Sequence, residues 1–139
     1  MKVAVRYYTK GGNTAKVAEA IGKAVNETPH PVSVPLHEPV DVLFLGGSVY
    51  AFALDPAIEA YIEKLDNSMV KYAAVFSTSA IAKSGNSKLQ RLLAKKGIKV
   101  LKPAFYCRGE FKFMHKKHPD ASDLASAAAF ATEVLQAAE

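Results

Sequence analysis

Short apolar segments alternate with helical segments along the whole sequence, and this alternation constrains the fold more than any other feature. Strands are predicted at residues 2–7, 32–34, 40–45, 71–78 and 99–107. Helices are predicted at residues 14–26, 56–65, 87–96 and 121–135, where apolar residues recur at helical spacing. Strands that alternate with helices form a parallel sheet with right-handed crossovers and helices on both faces. The 139 residues are therefore expected to form one α/β domain, residues 1–139.

Local residues mark several element boundaries. Asp55 suits a helix N-cap and Pro56 suits the first helical position, so a helix is expected to begin there. Gly97 is expected to end the third helix, and Asp120 is expected to cap the last one. The short second strand has proline on both sides, which cannot donate to a ladder, so this strand is expected near an edge.

The sheet topology selects three loops as the candidate ligand site. In an open parallel sheet, ligands bind outside the carboxyl ends of the strands, where the strand order reverses. The loops in that position cover residues 8–14, 46–55 and 78–87. They are also the segments richest in glycine, serine and threonine, so two independent features indicate the same place.

The first of these loops has the chemistry of a phosphate site. It consists of Thr9, Lys10, Gly11, Gly12, Asn13 and Thr14, between a strand and a helix. The first turn of a helix has unpaired N–H groups and the positive end of the dipole, so it attracts anions. The loop contains no acidic residue, and its spacing matches neither the nucleotide-triphosphate loop nor the dinucleotide fingerprint.

This loop resembles the phosphate loop of the flavodoxin family, (Ser/Thr)-x-(Ser/Thr)-Gly-Asn-Thr, with Gly11 in place of the middle hydroxyl. Residues 45–50, Leu-Gly-Gly-Ser-Val-Tyr, resemble the family's loop after the third strand, and residues 105–111 and 118–120 also resemble members of the wider family. The resemblance covers the whole chain. It implies a doubly wound five-stranded parallel sheet with the strand order 2-1-3-4-5.

The resemblance also implies a cofactor and its site. Thr9 to Thr14 would bind the phosphate of FMN, and two later loops would hold the isoalloxazine ring. The ring-binding residues that it implies are Gly47, Ser48, Val49, Tyr50, Ala51, Phe52, Thr78, Ser79, Ala80 and Gly85. Tyr50 is the first candidate for stacking on the ring and Phe52 is the second. The glycines at 46 and 47 would let a peptide reorient toward the ring.

The implied function is electron transfer by FMN between a reductase and an acceptor protein. An FMN-dependent NAD(P)H or quinone oxidoreductase remains an alternative, although short loops leave little material for a substrate pocket. A flavin-free regulatory module of the same fold is the other alternative, because residues 77–85 contain no aromatic residue and Gly11 lacks a hydroxyl.

The net charge of +5 distinguishes this chain from typical acidic flavodoxins. Positive potential near the ring favours the anionic reduced flavin, so a less reducing second electron step is expected. The same charge predicts redox partners with acidic docking surfaces. The basic residues do not alternate with aromatics as in a nucleic-acid module, so no nucleic-acid partner is expected.

The remaining features concern location and other chemistries. No apolar run of about 18 residues and no signal-peptide pattern is present, and a single cysteine rules out an internal disulfide, so we expect a cytoplasmic protein without a membrane segment. We also expect a monomer. Cys107 is the only cysteine and is expected to be buried at a strand end rather than to act as a redox thiol. The histidines at 115 and 118 are expected in a solvated basic loop rather than at a metal.

Overall fold

The computed structural model describes residues 1–50, 53–80, 84–110 and 115–139, and only the backbone of Tyr50. The elements of this part of the chain are β1 (Val3–Tyr7), α1 (Asn13–Val25), β2 (His30–Pro31), β3 (Val40–Tyr50), β4 (Ala53–Leu54), α2 (Pro56–Glu63), β5 (Val70–Ser79), α3 (Asn86–Lys95), β6 (Lys99–Val100), β7 (Phe105–Arg108) and α4 (Ala121–Ala138). None of these helices combines the length and the apolar character that a membrane span requires.

The strands form a parallel sheet in the order β2-β1-β3-β5, and β6 and β7 share the far edge beside β5. The two-residue β4 pairs antiparallel with the end of β3. Since β6 and β7 are two pieces of one edge strand, the five positions follow the predicted order 2-1-3-4-5. The predicted α/β class and topology are confirmed.

The predicted caps are confirmed as well. The Asp55 carboxylate accepts a hydrogen bond from the backbone N–H of Ala57 at 2.9 Å, which caps α2. Gly97 follows α3 with a φ of +77°, a left-handed conformation that suits glycine. Asp120 and Asp123 form a reciprocal capping box at the start of α4.

Two predicted helices end elsewhere, α2 at Glu63 and α4 at Ala138, and three predicted strands have wrong boundaries. The second strand lies at residues 30–31. Residues 32–34 form a turn instead of continuing the strand, and this turn is closed by the hydrogen bond from the Val34 N–H to the Pro31 carbonyl. The last strand is interrupted at residues 101–104, where proline at 103 cannot donate to the ladder. The third strand, predicted to end at residue 45, continues to Tyr50.

The glycines explain the extension of β3. A Cβ at Gly46 would collide with the ring of Phe76 on the neighbouring strand, so glycine is required for packing there. Gly47 lies in the ladder opposite Ser77. The glycine pair thus admits side chains from β5 and α2 into the core and does not end the strand.

Each face of the sheet has its own core layer. On one face, α1 and α4 cover an apolar cluster in which Phe44 and Phe130 meet edge to face, with centroids 5.9 Å apart. On the other face, α2 and α3 cover a second cluster that includes Leu43. Residues adjacent in β3 therefore belong to opposite layers, as the alternation of side chains along a strand requires.

The crossover from β2 to β3 contains no helix, and a buried arginine holds it in place. Arg6 is only 6% exposed. Its Nε donates to the Val34 carbonyl at 2.9 Å, and its terminal nitrogens donate to the carbonyls of Pro35 and Val5, both at 3.2 Å. Charge-assisted hydrogen bonds thus fix the segment that a helix would otherwise anchor.

Candidate functional site

The predicted phosphate loop connects the carboxyl end of β1 to the start of α1. Gly12 is the N-cap of α1 and has a φ of +94°, which a residue with a Cβ rarely adopts. Its N–H donates to the Thr9 hydroxyl at 2.9 Å, which closes the turn. A Cβ at Gly11 or Gly12 would meet no heavy atom within 4 Å, so the loop borders open space.

The electrostatics of this turn favour an anion. The first turn of α1 carries no acidic side chain, and no side-chain hydrogen bond caps the helix. Lys10 is exposed beside it. The N–H groups at the start of a helix and the dipole add positive potential at the same point.

The Thr14 hydroxyl joins the predicted phosphate loop to both segments that are predicted to bind the ring. It lies 2.6 Å from the Ser48 hydroxyl and 2.9 Å from the Thr78 hydroxyl, and these three side chains are at most 4% exposed. Ser48 and Thr78 are opposite one another on β3 and β5. The cluster therefore fixes three predicted site segments together, and it directs the Thr14 hydroxyl into the protein.

The Asn13 side chain is likewise engaged within the protein. Its amide donates to the backbone carbonyl of Glu110 at 2.9 Å. This approach is possible because Gly109 lacks a Cβ, which would collide with the Asn13 amide. The start of α1 is thus tied to the segment that follows β7.

Other predicted site residues lie in the core around the carboxyl ends of β3 and β5. A Cβ on Gly47 would contact Ile58 at 3.3 Å, and Val49 is 8% exposed and packs where a Gly85 side chain would extend. The Gly85 N–H donates to the Ser77 hydroxyl at 3.3 Å and the Gly85 carbonyl accepts from the Leu89 N–H at 3.1 Å, so both backbone groups of Gly85 already have partners within the protein. The side chain of Tyr50, together with Ala51 and Phe52, lies outside the described residues.

These features are those of a known family. A sequence model of the flavodoxin domain matches residues 4–118 of the chain. The chain belongs to the flavodoxin family. No curated protein sequence matches it.

Solved flavodoxin structures share the fold over nearly the full length. An archaeal flavodoxin superposes with a TM-score of 0.80 at 18% identity, covering 99% of each chain. Flavodoxin 1 from Bacillus cereus superposes with a TM-score of 0.76 at 20% identity, covering 98% of each chain. The rubredoxin:oxygen oxidoreductase of Desulfovibrio gigas, at 14% identity, has a TM-score of 0.76 over 99% of this chain but only 36% of its own.

Family membership implies a flavin cofactor, typically FMN, and the described residues fit its phosphate. The space beside Gly11 and Gly12 is open, and the donors facing it are backbone N–H groups at a helix start, with Lys10 as the adjacent cation. Since the Thr14 hydroxyl and the Asn13 amide have internal partners, the backbone of α1 is the main donor set. The fit of the ring depends on residues outside the described part of the chain.

The predicted site residues do not include β7, although its side chains contact two of them, Ser79 and Ala80. The Ser79 hydroxyl lies 2.7 Å from the Tyr106 hydroxyl. The Ala80 carbonyl accepts a hydrogen bond from Arg108 at 3.1 Å and lies 3.0 Å from Nε2 of His115. The rule that selects the carboxyl ends of strands applied equally to this edge strand and would have found these residues.

Cys107 is buried at the end of β7, as predicted. Burial raises the pKa of its thiol to about 12, and the negative charges of Asp123 and Asp120 act in the same direction. The thiol is therefore protonated at neutral pH and is a poor nucleophile.

A small cluster of ionisable groups sits at the start of α4 in the capping box. His118, Asp120 and Asp123 place their ligand atoms within 4.8 Å of one another. Asp123 accepts hydrogen bonds from the Asp120 N–H at 2.9 Å and is 2.7 Å from Nδ1 of His118. These contacts complete the helix cap. The hydrogen bond to Asp123 raises the pKa of His118. Burial alone would raise the pKa of Asp123, but the hydrogen bonds from the Asp120 N–H and from His118 outweigh burial and lower it.

Proposed function

We propose that this chain is an FMN-binding electron carrier that passes electrons between a reductase and an acceptor protein. The observation that carries this proposal is the start of α1, where an open glycine turn with a left-handed N-cap presents helix N–H groups and no carboxylate. This arrangement belongs to a flavodoxin-family domain and lies at the carboxyl edge of its sheet.

The residues of the chain bind and orient the cofactor. The backbone from Gly11 to Thr14 binds the phosphate, and Thr9 holds that turn in place. The ends of β3 and β5, with residues 50–52 and 78–80, hold the ring. Bound flavin supplies one- and two-electron redox chemistry, so the protein needs no acid–base residue of its own.

The partners are proposed from the charge around the site. The net charge is +5, and Lys10, Arg108, Lys116 and Lys117 belong to the end of β7 and to loops at the same edge of the sheet. Complementary charge steers the encounter of redox proteins. A reductase and an acceptor with acidic docking surfaces therefore suit this edge, and we expect the carrier to work as a cytoplasmic monomer.

A titration of the purified protein with FMN tests the cofactor. We expect flavin absorption bands that remain with the protein through gel filtration. Gly11→Asp should weaken FMN binding by roughly 10- to 100-fold, because it adds a carboxylate beside the phosphate where nothing obstructs the side chain. Gly11→Asn is the matched control with the same shape and no charge, and it should bind FMN nearly as well as the wild type.

The outcome of two assays separates the carrier from its alternatives. Protein that stays colourless in excess FMN would overturn the carrier and favour the flavin-free module. That module has one observation in its favour, namely that the Thr14 hydroxyl and the Asn13 amide already bond within the protein. Turnover of a quinone with NADPH and no added reductase would instead assign an oxidoreductase.

A further inference from the structure

The carboxyl end of β5 is held from one side by β7. Ser79 lies opposite Arg108 in the parallel ladder, and the Ser79 carbonyl accepts a hydrogen bond from the Gly109 N–H at 3.1 Å. The Ser79 hydroxyl is also 2.7 Å from the hydroxyl of Tyr106. We call residues 78–80 the predicted ring segment, and its position depends on β7 and on the chain that follows β7.

Two basic side chains converge on the carbonyl oxygen of Ala80. Nη1 of Arg108 donates to it at 3.1 Å, and Nε2 of His115 lies 3.0 Å from it. Because a carbonyl oxygen only accepts, Nε2 of His115 carries its hydrogen in this contact. The guanidinium carbon of Arg108 lies 5.6 Å from the centre of the Tyr106 ring, which helps to hold the side chain in place. The end of the predicted ring segment is thus fastened by two donors from outside its own strand.

His115 reaches Ala80 from a turn with an unusual backbone. His115 has a φ of +50° and Lys117 has a φ of +71°, which are left-handed conformations that residues with a Cβ seldom adopt. The His118 N–H closes the turn by donating to the His115 carbonyl at 3.0 Å. A carboxylate oxygen of Glu110 accepts the Lys117 N–H at 3.1 Å. Backbone strain of this kind persists only where the surrounding structure holds it, and it is concentrated at functional sites.

Glu110 connects the same turn to the predicted phosphate loop. Its N–H donates to the His118 carbonyl at 2.8 Å, and its own carbonyl accepts the Asn13 amide at 2.9 Å. The turn at residues 115–118 is therefore linked to the predicted ring segment through His115 and to the start of α1 through Glu110. A ligand with a phosphate at one end and a ring at the other requires a fixed spacing between these two segments.

We propose that Arg108 and His115 are positioning residues for the flavin ring and that they act by holding the Ala80 carbonyl. The proposal rests on the proposed function, because it takes FMN as the ligand. The two side chains keep the predicted ring segment at the spacing from the phosphate loop that FMN needs. The guanidinium also places a fixed positive charge at the end of this segment, which favours the more negative, reduced form of the flavin.

Titrations with FMN and with riboflavin, which has the ring but no phosphate, test the role of His115. His115→Ala removes one donor and should raise the Kd of both flavins about tenfold. The ratio of the two Kd values reports the phosphate contacts and should stay within about twofold of the wild-type ratio. His115→Gln should recover most of the affinity, since its side-chain amide can donate to the same carbonyl.

Two control variants separate this role from general damage to the site. Lys117→Ala changes an exposed residue of the same turn with the same left-handed backbone, and it should leave both Kd values within about twofold. Gly11→Asp should raise the Kd of FMN and leave that of riboflavin unchanged, because its carboxylate acts on the phosphate.

The redox potential of bound FMN tests the charge of Arg108. Arg108→Met should make the second one-electron step more reducing by about tenfold in its equilibrium constant, or about 59 mV. Arg108→Lys keeps the charge and should retain most of the wild-type potential. Lys99→Met removes the same charge at the opposite end of β5, where Lys99 pairs with Tyr72, and should change that constant by less than about twofold. Equal shifts in the two methionine variants would overturn the role of Arg108.

Hydrogen exchange in FMN-free protein supplies a readout without the cofactor. The backbone amides of residues 78–80 should exchange about tenfold faster in His115→Ala and in Arg108→Met than in the wild type, while those of residues 4–6 in β1 should not change. Unchanged exchange at residues 78–80 in both variants, or wild-type Kd values for both flavins in His115→Ala, would overturn this proposal alone. Wild-type protein that binds neither flavin would overturn the proposed function as well.

Discussion

The two faces of the sheet are stabilised in different ways. On the α1 and α4 face, two long helices cover a continuous apolar layer around Phe44 and Phe130. On the α2 and α3 face, one crossover has no helix, and the hydrogen bonds of Arg6 hold it in place. The buried side-chain atoms without partners in the described residues, the Tyr61 hydroxyl and Asn86 Oδ1, both belong to helices of this second face. Where the crossover from β2 to β3 has no helix, the hydrogen bonds of Arg6 hold the chain in place instead of apolar helix packing.

Cavity substitutions in adjacent residues of β3 should reveal this difference most strongly. Phe44→Ala should lower the free energy of unfolding by about 4 kcal/mol, because the ring is fully buried between two helices that cannot collapse onto the space. Leu43→Ala, equally buried on the other face, should cost about 3 kcal/mol. Urea denaturation measures both, and a larger loss for Leu43→Ala would contradict the comparison.

Removal of the buried cation should be the next largest effect. Arg6→Met keeps the length of the side chain but loses all three hydrogen bonds to backbone carbonyls, so we expect a loss of about 3 kcal/mol in unfolding free energy. Hydrogen exchange should accelerate at residues 32–39 more than elsewhere. Arg6→Lys is the control and should recover part of the loss, since one ammonium cannot reproduce the planar fork. Uniform exchange across both faces would refute the assignment.

Thr14→Val tests the buried cluster of hydroxyls that Thr14 forms with Ser48 and Thr78. The change keeps the shape and removes the hydroxyl that lies between Ser48 and Thr78, so a loss of about 1.5 kcal/mol is expected in FMN-free protein. FMN affinity should change by less than about threefold, because that hydroxyl bonds internally. A loss of more than tenfold, with Thr14→Ser binding normally, would show that the hydroxyl turns to the phosphate instead.

The smallest effect concerns pH at the start of α4. The pKa of His118 is raised, so its contribution to stability is complete below about 6.5 and is lost as pH rises through the raised value. The pKa of Asp123 is lowered, so its contribution is present above about 3.8 and disappears in stronger acid. His118→Gln should therefore lower the melting temperature at pH 5.5 and have little effect at pH 9. An equal change at both pH values would exclude the ion pair.

Local chemistry made much of the fold predictable. The sequence Asp55-Pro56 specifies the start of α2, and Asp120 specifies the start of α4, because a cap depends on residues within one turn. The glycines at 46 and 47 were interpreted as the end of a strand. The structure requires glycine there because a side chain would meet Phe76 or Ile58, and both of these residues are distant in sequence.

The candidate site shows the same division between local and long-range information. The turn from Thr9 to Gly12 could be predicted, because its donors and its left-handed glycine are consecutive in the chain. The orientation of the Thr14 hydroxyl could not, since it depends on hydroxyls supplied by two strands far along the sequence. The partnerless hydroxyl of Tyr61 was equally inaccessible, because tyrosine at helical spacing indicates only a core position.

The short, interrupted edge strands have a consequence for self-association. At one edge, β2 offers two residues and one of them is Pro31, which lacks an N–H. At the other edge, residues 101–104 separate β6 from β7, so the longest continuous run is the four residues Phe105–Arg108. Along these described edge strands, a second copy therefore finds no long row of free donors and acceptors to extend the sheet. Pro31 in β2 and the gap between β6 and β7 made these strand boundaries hard to predict. The same features disfavour edge-to-edge aggregation at high concentration.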